Sequence, residues 1–492
     1  MKLKINILSL FFIFTSISFS FSQTIENGSY NVGFNYYKSY DLSRPYVLHN
    51  DTISRPLLIH FWYPSKEKIN EQNFYFKNYI DLIAIRENFN RSTQEVDQNT
   101  INYVNAYAGF AKQHLGNDTN ITTQQILDCS VAAQYGIKMA KSSKKFPLVI
   151  YAPSNSKSSV QNHMICEYLA SHGYMVISVG SAGKNSLRRD HGKESIPAQV
   201  NDMEYILNYF EDSLKINYSN LGLMGFSTGG LANAIFQMNN EKVKAVFSMD
   251  GSQEYGHYNP LFSLNEFNLT KTNVPYCLLV NNYENFSVYP YYSSIISEEK
   301  YLFRMPYIDH NGFVSYWNFF NSCSPVSKVN HFCDSYNYIN SIALSFFDEY
   351  LKTKKTSKTK ADFNFQTNEY IKLVTTDNTI VAHLGNLILS QGIDSAIQFL
   401  NENQEVLSSK ETEINILSRQ FVDGNIEATI QLLLFNVNMH PNSGVAHFEL
   451  AKVYKRKGDL SLSKVSLLIA QELDPENTEI IKLLNEIEEP EK

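Results

Sequence analysis

Ser227 lies in Gly225-Phe226-Ser227-Thr228-Gly229, directly after the apolar run 221–225 (LGLMG) and ahead of a helix-forming stretch that begins at Gly229. A serine hydroxyl is a poor nucleophile at its own pKa. It needs a base beside it, a group that orients the base, and N–H donors aimed at the developing oxyanion. A strand, a G-x-S-x-G turn and a helix in succession expose such a serine, and the flanking glycines let strand and helix approach closely around a strained turn. The chemistry served is acyl transfer.

The remaining parts have candidates in chain order. The acid belongs at the end of a later strand, where Asp250 closes the run 243–250 (VKAVFSMD) before Gly251. Glu284, just after the next strand, is the rival acid, with Asn281 and Asn282 in the nearest positions. Among the histidines after Asp250, His310 follows the run 301–305 and precedes an aromatic helix in Ile308-Asp309-His310-Asn311-Gly312-Phe313, the place of the base; His331 is the runner-up. The oxyanion donors are the backbone N–H of Thr228 and one from the loop Pro153-Ser154-Asn155-Ser156, assigned to Asn155. Asp250 also reads as a loop-capping residue, and His331 as a plain loop residue.

These residues need a scaffold that carries them on successive strand ends. Apolar runs at 57–63 (LLIHFWY), 146–152 (FPLVIYA), 174–180 (YMVISVG), 221–225, 243–250, 275–281 (PYCLLVN) and 301–305 (YLFRM) alternate with helical periodicity at 160–172, 196–214 and 229–239. Near-continuous apolar strands separated by helices imply a parallel sheet covered on both faces, a doubly wound α/β domain. Ligands in such folds bind at the carboxyl ends of the strands.

Residues 66–145 change to polar, Asn- and Gln-rich helical stretches between two core strands, and read either as an insertion covering the site or as a plain structural excursion. Another helix is predicted over 341–351. The run 352–360 (KTKKTSKTK) has no apolar periodicity and opens a linker over 352–375. Beyond it, segments 389–400, 420–433 and 454–468 align, with glycines at Gly392, Gly424 and Gly458; the last two are 34 residues apart, as are Pro441 and Pro475. That period belongs to helical hairpins. Ala446, Leu450, Ala451, Tyr454, Gly458, Leu460, Ala470, Leu473 and Pro475 resemble the tetratricopeptide pattern, so 376–490 is expected to form helical repeats. The resemblance implies a protein- or peptide-binding surface; stacked helices also stand alone without a partner.

The chain has 492 residues, 43% hydrophobic and 18% charged, with 14 prolines: a folded profile long enough for more than one unit. A net charge of -7 without a basic stripe leaves no footprint for nucleic acid. Lys2 and Lys4, an apolar run over 5–14 and small residues at Ser18, Ser20 and Ser22 read as a signal peptide over 1–22. Thr15 and Ser16 interrupt the run too early for a membrane anchor, and no later segment is long enough to span a bilayer. The mature protein is expected to be secreted or periplasmic, with residues 23–351 forming the α/β domain. The five cysteines are too few and too irregularly spaced for a disulfide framework or a zinc site; Cys323 and Cys333 pair across one loop or remain free thiols.

The runs 146–152 and 169–179, the Ser227 turn, Asp250, and His310 with Phe313 resemble the α/β-hydrolases of the secreted platelet-activating-factor acetylhydrolase group and its dienelactone-hydrolase-like bacterial relatives. Val32-Gly33-Phe34, Asp41-Leu42-Ser43-Arg44-Pro45 and Trp62-Tyr63-Pro64 resemble the same group's amino-terminal strands. The resemblance spans about 30–351, apart from the insertion. It implies hydrolysis of a small-molecule or lipid-like carboxylic ester by Ser227, Asp250 and His310, with no cofactor and no metal. The loop 153–156 departs from the pattern, lacking the usual His-Gly pair. Two rival functions remain: an idle hydrolase fold acting as a scaffold through its repeats, and a serine peptidase, although no propeller repeat is visible.

Overall fold

The structure is a computed structural model that describes residues 26–69, 71–115, 122–155, 157–186, 194–254, 267–282, 289–323, 331–352, 367–373, 380–422 and 425–488. The signal-peptide segment 1–22, Glu284, Gly424 and most of the lysine-rich run after Lys352 lie outside them.

Ten strands among these residues form one sheet: β1 (Asn31–Leu48), β2 (Asp51–Ser65), β3 (Ala133–Tyr135), β4 (Leu148–Ala152), β5 (Met175–Val179), β6 (Leu221–Phe226), β7 (Val243–Met249), β8 (Tyr276–Val280), β9 (Lys300–Arg304) and β10 (Lys372–Leu373). Their order is β10-β9-β8-β7-β6-β4-β5-β2-β1-β3. From β5 to β9 neighbours run parallel, and every residue of β4, β5, β6 and β8 is buried. Burial on both faces explains why these strands read as unbroken apolar runs rather than alternating ones.

Around the sheet lie α4 (His163–Ser171), α5 (Ser195–Asn208), α6 (Thr228–Asn239), α7 (Pro290–Ser294), α8 (Tyr316–Cys323) and α9 (His331–Phe347), preceded by α1 (Phe76–Ile85), α2 (Thr93–Leu115) and α3 (Thr123–Leu127) of the insertion. One core layer packs α4, α8, α9 and the insertion on Val149, Val176, Met224 and Phe247; the other packs α5, α6 and α7 on Ile150, Ile177, Leu223 and Leu278. This is a doubly wound α/β arrangement. It is followed by an all-helical region of α10 (Ile380–Gln391), α11 (Ile393–Glu402), α12 (Gln404–Leu407), α13 (Glu411–Phe421), α14 (Ile426–Met439), α15 (Gly444–Lys457), α16 (Leu460–Leu473) and α17 (Thr478–Glu488). Gly458 caps α15 at φ 89°, the left-handed conformation that ends a helix at the predicted turn.

The antiparallel edge is not legible from apolar runs. β1 and β2 form a hairpin through His49 and Asn50, both at positive φ, as a tight two-residue turn matching the strand twist requires. Asp41 accepts hydrogen bonds from the Ser43 N–H, the Ser43 hydroxyl and Arg44 Nε, and the strand register shifts between Asp41 and Pro45. The Asp-Leu-Ser-Arg-Pro stretch is thus the hairpin's bulge. Arg55 then clasps the fully buried Asp202 of α5 through two 2.6 Å bonds, with Arg44 on the same carboxylate at 2.8 Å. At the opposite edge, β10 pairs antiparallel with β9, so Lys372 and Leu373 of the linker belong to the sheet. α9 begins at His331 rather than at 341, which places the runner-up base at a helix start.

The cysteine expectation is corrected. Cys129 bonds to Cys323 with Cα atoms 5.7 Å apart, and Cys333 is a buried thiol in α9. The reason is packing: Phe76 of α1 stacks on Phe319 of α8 at 4.4 Å and Tyr107 of α2 on Tyr316 at 4.3 Å, which brings the insertion's end to the end of α8. The described residues between 66 and 145 thus pack into the core and are fastened to the helix that follows His310. Non-reducing peptide mapping should recover the Cys129–Cys323 pair. Cys129→Ser should cost about 2–5 kcal/mol of stability in denaturant unfolding, given the 194-residue separation closed by the bond.

Candidate active site

The turn between β6 and α6 forces Ser227 to φ 56°, a left-handed conformation that side chains with a β-carbon rarely adopt. The neighbours make it affordable. A β-carbon on Gly225 would lie 2.5 Å from Asn233 Nδ2, and one on Gly229 would lie 2.0 Å from the Ala152 carbonyl oxygen, so only glycine fits on either side. The Ser227 N–H donates to the Met249 carbonyl at 3.0 Å, and the Ser227 carbonyl accepts from the Ser252 N–H at 2.9 Å. The elbow is stitched to the end of β7.

Asp250, the residue that follows β7, is also at positive φ, 46°, and is buried. Its N–H donates to the Leu279 carbonyl of β8 at 2.7 Å. Its carboxylate Oδ2 accepts from His310 Nδ1 at 2.5 Å and from Asn281 Nδ2 at 2.9 Å, while Oδ1 accepts the Asn281 N–H at 3.3 Å. His310 opens a 3-10 turn over His310–Phe313, whose first N–H groups, on Asn311 and Gly312, donate to Asp309 Oδ1. The imidazole rests on Phe226 at 4.9 Å between centroids, and its Nε2 stands 3.0 Å from Ser227 Oγ. With Nδ1–H committed to Asp250, Nε2 carries the lone pair that can accept the serine proton.

The structure thus brings together Ser227, Asp250 and His310. Thr228 begins α6, where backbone N–H groups have no intrahelical partner, and Pro153 at the start of the Asn155 loop lies against Gly229, with the Pro153 carbonyl held by Gln199 Nε2 at 2.8 Å. Thr228 therefore follows the nucleophile directly, and the loop that bears Asn155 begins beside Gly229. His331 lies elsewhere, stacked on Tyr307 at 4.6 Å and 3.3 Å from the Tyr370 hydroxyl. The residue missed as a participant is Asn281: the sequence signal was an amide at the end of β8, one strand beyond the acid.

Burial lowers the basicity of His310, but the hydrogen bond and charge of Asp250, assisted by Asp309, outweigh it and leave the imidazole pKa above its ordinary 6.5. Nearby, burial lifts the Glu254 carboxyl to about 8 against the opposing pull of the Tyr292 and Tyr291 N–H groups at the start of α7 and of Lys300. Among the described residues no cluster of three or more His, Cys, Asp or Glu is arranged to hold a metal ion, and no helix is long and apolar enough to cross a membrane.

No family profile and no curated protein matches the chain. Among solved structures it is similar to a ferulic acid esterase from Streptomyces cinnamoneus, with 15% identity and a TM-score of 0.47 over 70% of this chain and 96% of that one.

NMR titration should find His310 protonating above 6.5. Asp250→Asn removes the charge and leaves the burial, so the same titration should then fall below 6.5.

Proposed function

We propose that this chain is an exported serine hydrolase that cleaves carboxylic esters through an acyl-enzyme. The observation that carries the reading is the hydrogen-bonded line from Asp250 through His310 to Ser227, three residues from three different loops within bonding distance in the order the chemistry needs.

In the proposed cycle His310 Nε2 takes the Ser227 proton as Oγ attacks the ester carbonyl. Asp250 holds the tautomer and steadies the imidazolium, and the N–H groups of Thr228 and Asn155 meet the tetrahedral oxyanion. Collapse breaks the carbonyl–alkoxy bond, and the alcohol leaves with the proton from His310. Water, deprotonated by the same imidazole, then attacks the acyl-serine and releases the acid. Because the base must be neutral, the raised His310 pKa predicts that activity rises from neutral to mildly alkaline pH.

The acetylhydrolase-like substrate, a small-molecule or lipid-like ester, rests on the sequence resemblance over 30–351. Export is supported by the amino-terminal segment and by the Cys129–Cys323 bond, since disulfides persist in oxidising compartments. The tetratricopeptide reading, with a protein or peptide partner, is supported by the 34-residue spacing and the αL cap at Gly458. One observation favours a second reading, an idle fold serving the helical region: the loop Pro153-Ser154-Asn155 lacks the residues that usually build half of an oxyanion hole.

A fluorophosphonate probe separates the two. The proposed enzyme labels at Ser227 and hydrolyses short p-nitrophenyl esters, and Ser227→Ala abolishes labelling and lowers turnover by about 10⁴-fold or more. Intact protein that does not label indicates the idle fold. Asn281→Ala, which removes the amide holding the acid, should lower kcat about 10-fold with KM unchanged in steady-state kinetics, roughly 1.4 kcal/mol of lost transition-state stabilisation.

A further inference from the structure

A cavity of about 370 Å³ lies where the end of the insertion meets α4, α8 and α9, and Ser227, Asp250 and His310 do not line it. Its volume is that of about a dozen water molecules in the liquid. Ser130 and Ser322 of its lining sit beside Cys129 and Cys323, so the disulfide joins two of its walls. Three polar side chains of the lining are withdrawn from solvent, none more than 4% exposed: His163, Glu167 and Asn340. His163 and Glu167 are four residues apart on α4 and so share one face of the helix.

All three present acceptors. His163 Nδ1 lies 3.0 Å from the Val160 carbonyl, which can only accept, so Nδ1 carries the proton and Nε2 the lone pair. Burial pushes this imidazole down to about 4, which keeps it neutral near pH 7. Among the described residues neither His163 Nε2 nor Asn340 Oδ1 has a hydrogen-bond partner, although both are buried. Both oxygens of Glu167 accept, Oε1 from the Tyr79 hydroxyl at 2.8 Å and Oε2 from the Ala132 N–H at 3.3 Å. Neither donor is charged, and no Lys, Arg or Asp joins Glu167 in the described lining. Burial lifts its carboxyl to about 7, the mark of a carboxylate without a cation beside it. Buried acceptors and a buried carboxylate of this kind call for donors and a countercharge.

We propose that this cavity binds a small organic ammonium ion, the protonated form of a primary amine. An ammonium group brings N–H donors, one positive charge and no acceptor, which complements the imidazole, amide and carboxylate acceptors and the single negative charge of the lining. The rings of Phe319 and Tyr168, also buried in the lining, give the carbon skeleton apolar contact and the cation a π face. Ordered water would satisfy the acceptors but leave Glu167 without a countercharge.

Isothermal titration calorimetry of the full chain with benzylammonium chloride, at about pH 8 so that Glu167 is ionised, tests this. The dissociation constant should fall at about 0.1–1 mM, and benzyl alcohol, which has the same skeleton and no charge, should bind about 10-fold or more weakly. Glu167→Gln removes the charge, keeps the shape and should weaken benzylammonium binding about 10-fold or more. Asn318→Trp, at a half-buried position of the wall, fills the cavity, leaves the three acceptors in place and should weaken it as much; it decides the matter if Glu167→Gln does not keep the wild-type circular dichroism. Ser227→Ala should bind benzylammonium as wild type does, which separates this cavity from the ester site. The proposal is overturned by the absence of binding heat up to about 20 mM benzylammonium. Equal binding of benzyl alcohol, wild-type affinity in the folded Glu167→Gln and Asn318→Trp proteins, or loss of binding in Ser227→Ala overturns it as well.

Discussion

The backbone at the carboxyl ends of β6, β7 and β8 is cross-linked strand by strand, and the whole site depends on that stitching. Ser227 donates to Met249 and accepts from Ser252, Asp250 donates to Leu279, and Asn282 donates to the Ile308 carbonyl just before His310. Each bond fixes one loop relative to the next. Two residues that carry side chains, Ser227 and Asp250, are held in left-handed conformations that would relax if these bonds were absent. The strain is local and of the order of 1–2 kcal/mol per residue, small beside the burial of the strands that impose it. A parallel sheet supplies such an arrangement because its strand ends lie side by side at one edge.

Position also depends on what presses from the flanks. The Cys129–Cys323 bond and the aromatic contacts of α1 and α2 hold α8, and α8 begins six residues after His310. Trp317 of α8 donates through Nε1 to the Asn311 carbonyl in the histidine turn at 3.1 Å. On the far side the Arg55–Asp202 pair anchors the β1–β2 hairpin to α5, and Arg55 Nη1 and the Val47 N–H reach the carbonyls of Lys184 and Asn185 in the segment that follows β5. A buried ion pair of this kind specifies register more than it adds stability, since desolvation offsets most of its attraction.

The helical region is joined to the α/β domain rather than tethered to it. β10 extends the sheet, and the Tyr370 hydroxyl bonds to the Asp334 carboxylate of α9. α10 packs against α7, whose first N–H groups are taken by Glu254, four residues after Asp250. The region's inner packing uses the small residues expected at repeat positions, with Ala446, Ala451 and Ala470 buried.

The strands of the parallel sheet, the Ser227 turn, and the candidates Asp250 and His310 were legible in the sequence, because burial on both faces writes continuous apolar runs and chain order limits what can follow the nucleophile. The 34-residue period likewise announced the helical hairpins, since each hairpin must present the same face to its neighbour. Other features could be decided only by the tertiary structure. The cysteine pairing followed from Phe76 meeting Phe319, a contact between residues 243 positions apart in number that no spacing rule encodes. The support of Asp250 by Asn281 arose because β7 and β8 are neighbours in register, and an isolated asparagine at a strand end says nothing of which carboxylate it will face. Periodicity reports how each segment is buried. Which segments then meet is set by the packing of the whole chain, where contacts distant in sequence are chosen by shape and by the need to satisfy every buried polar group.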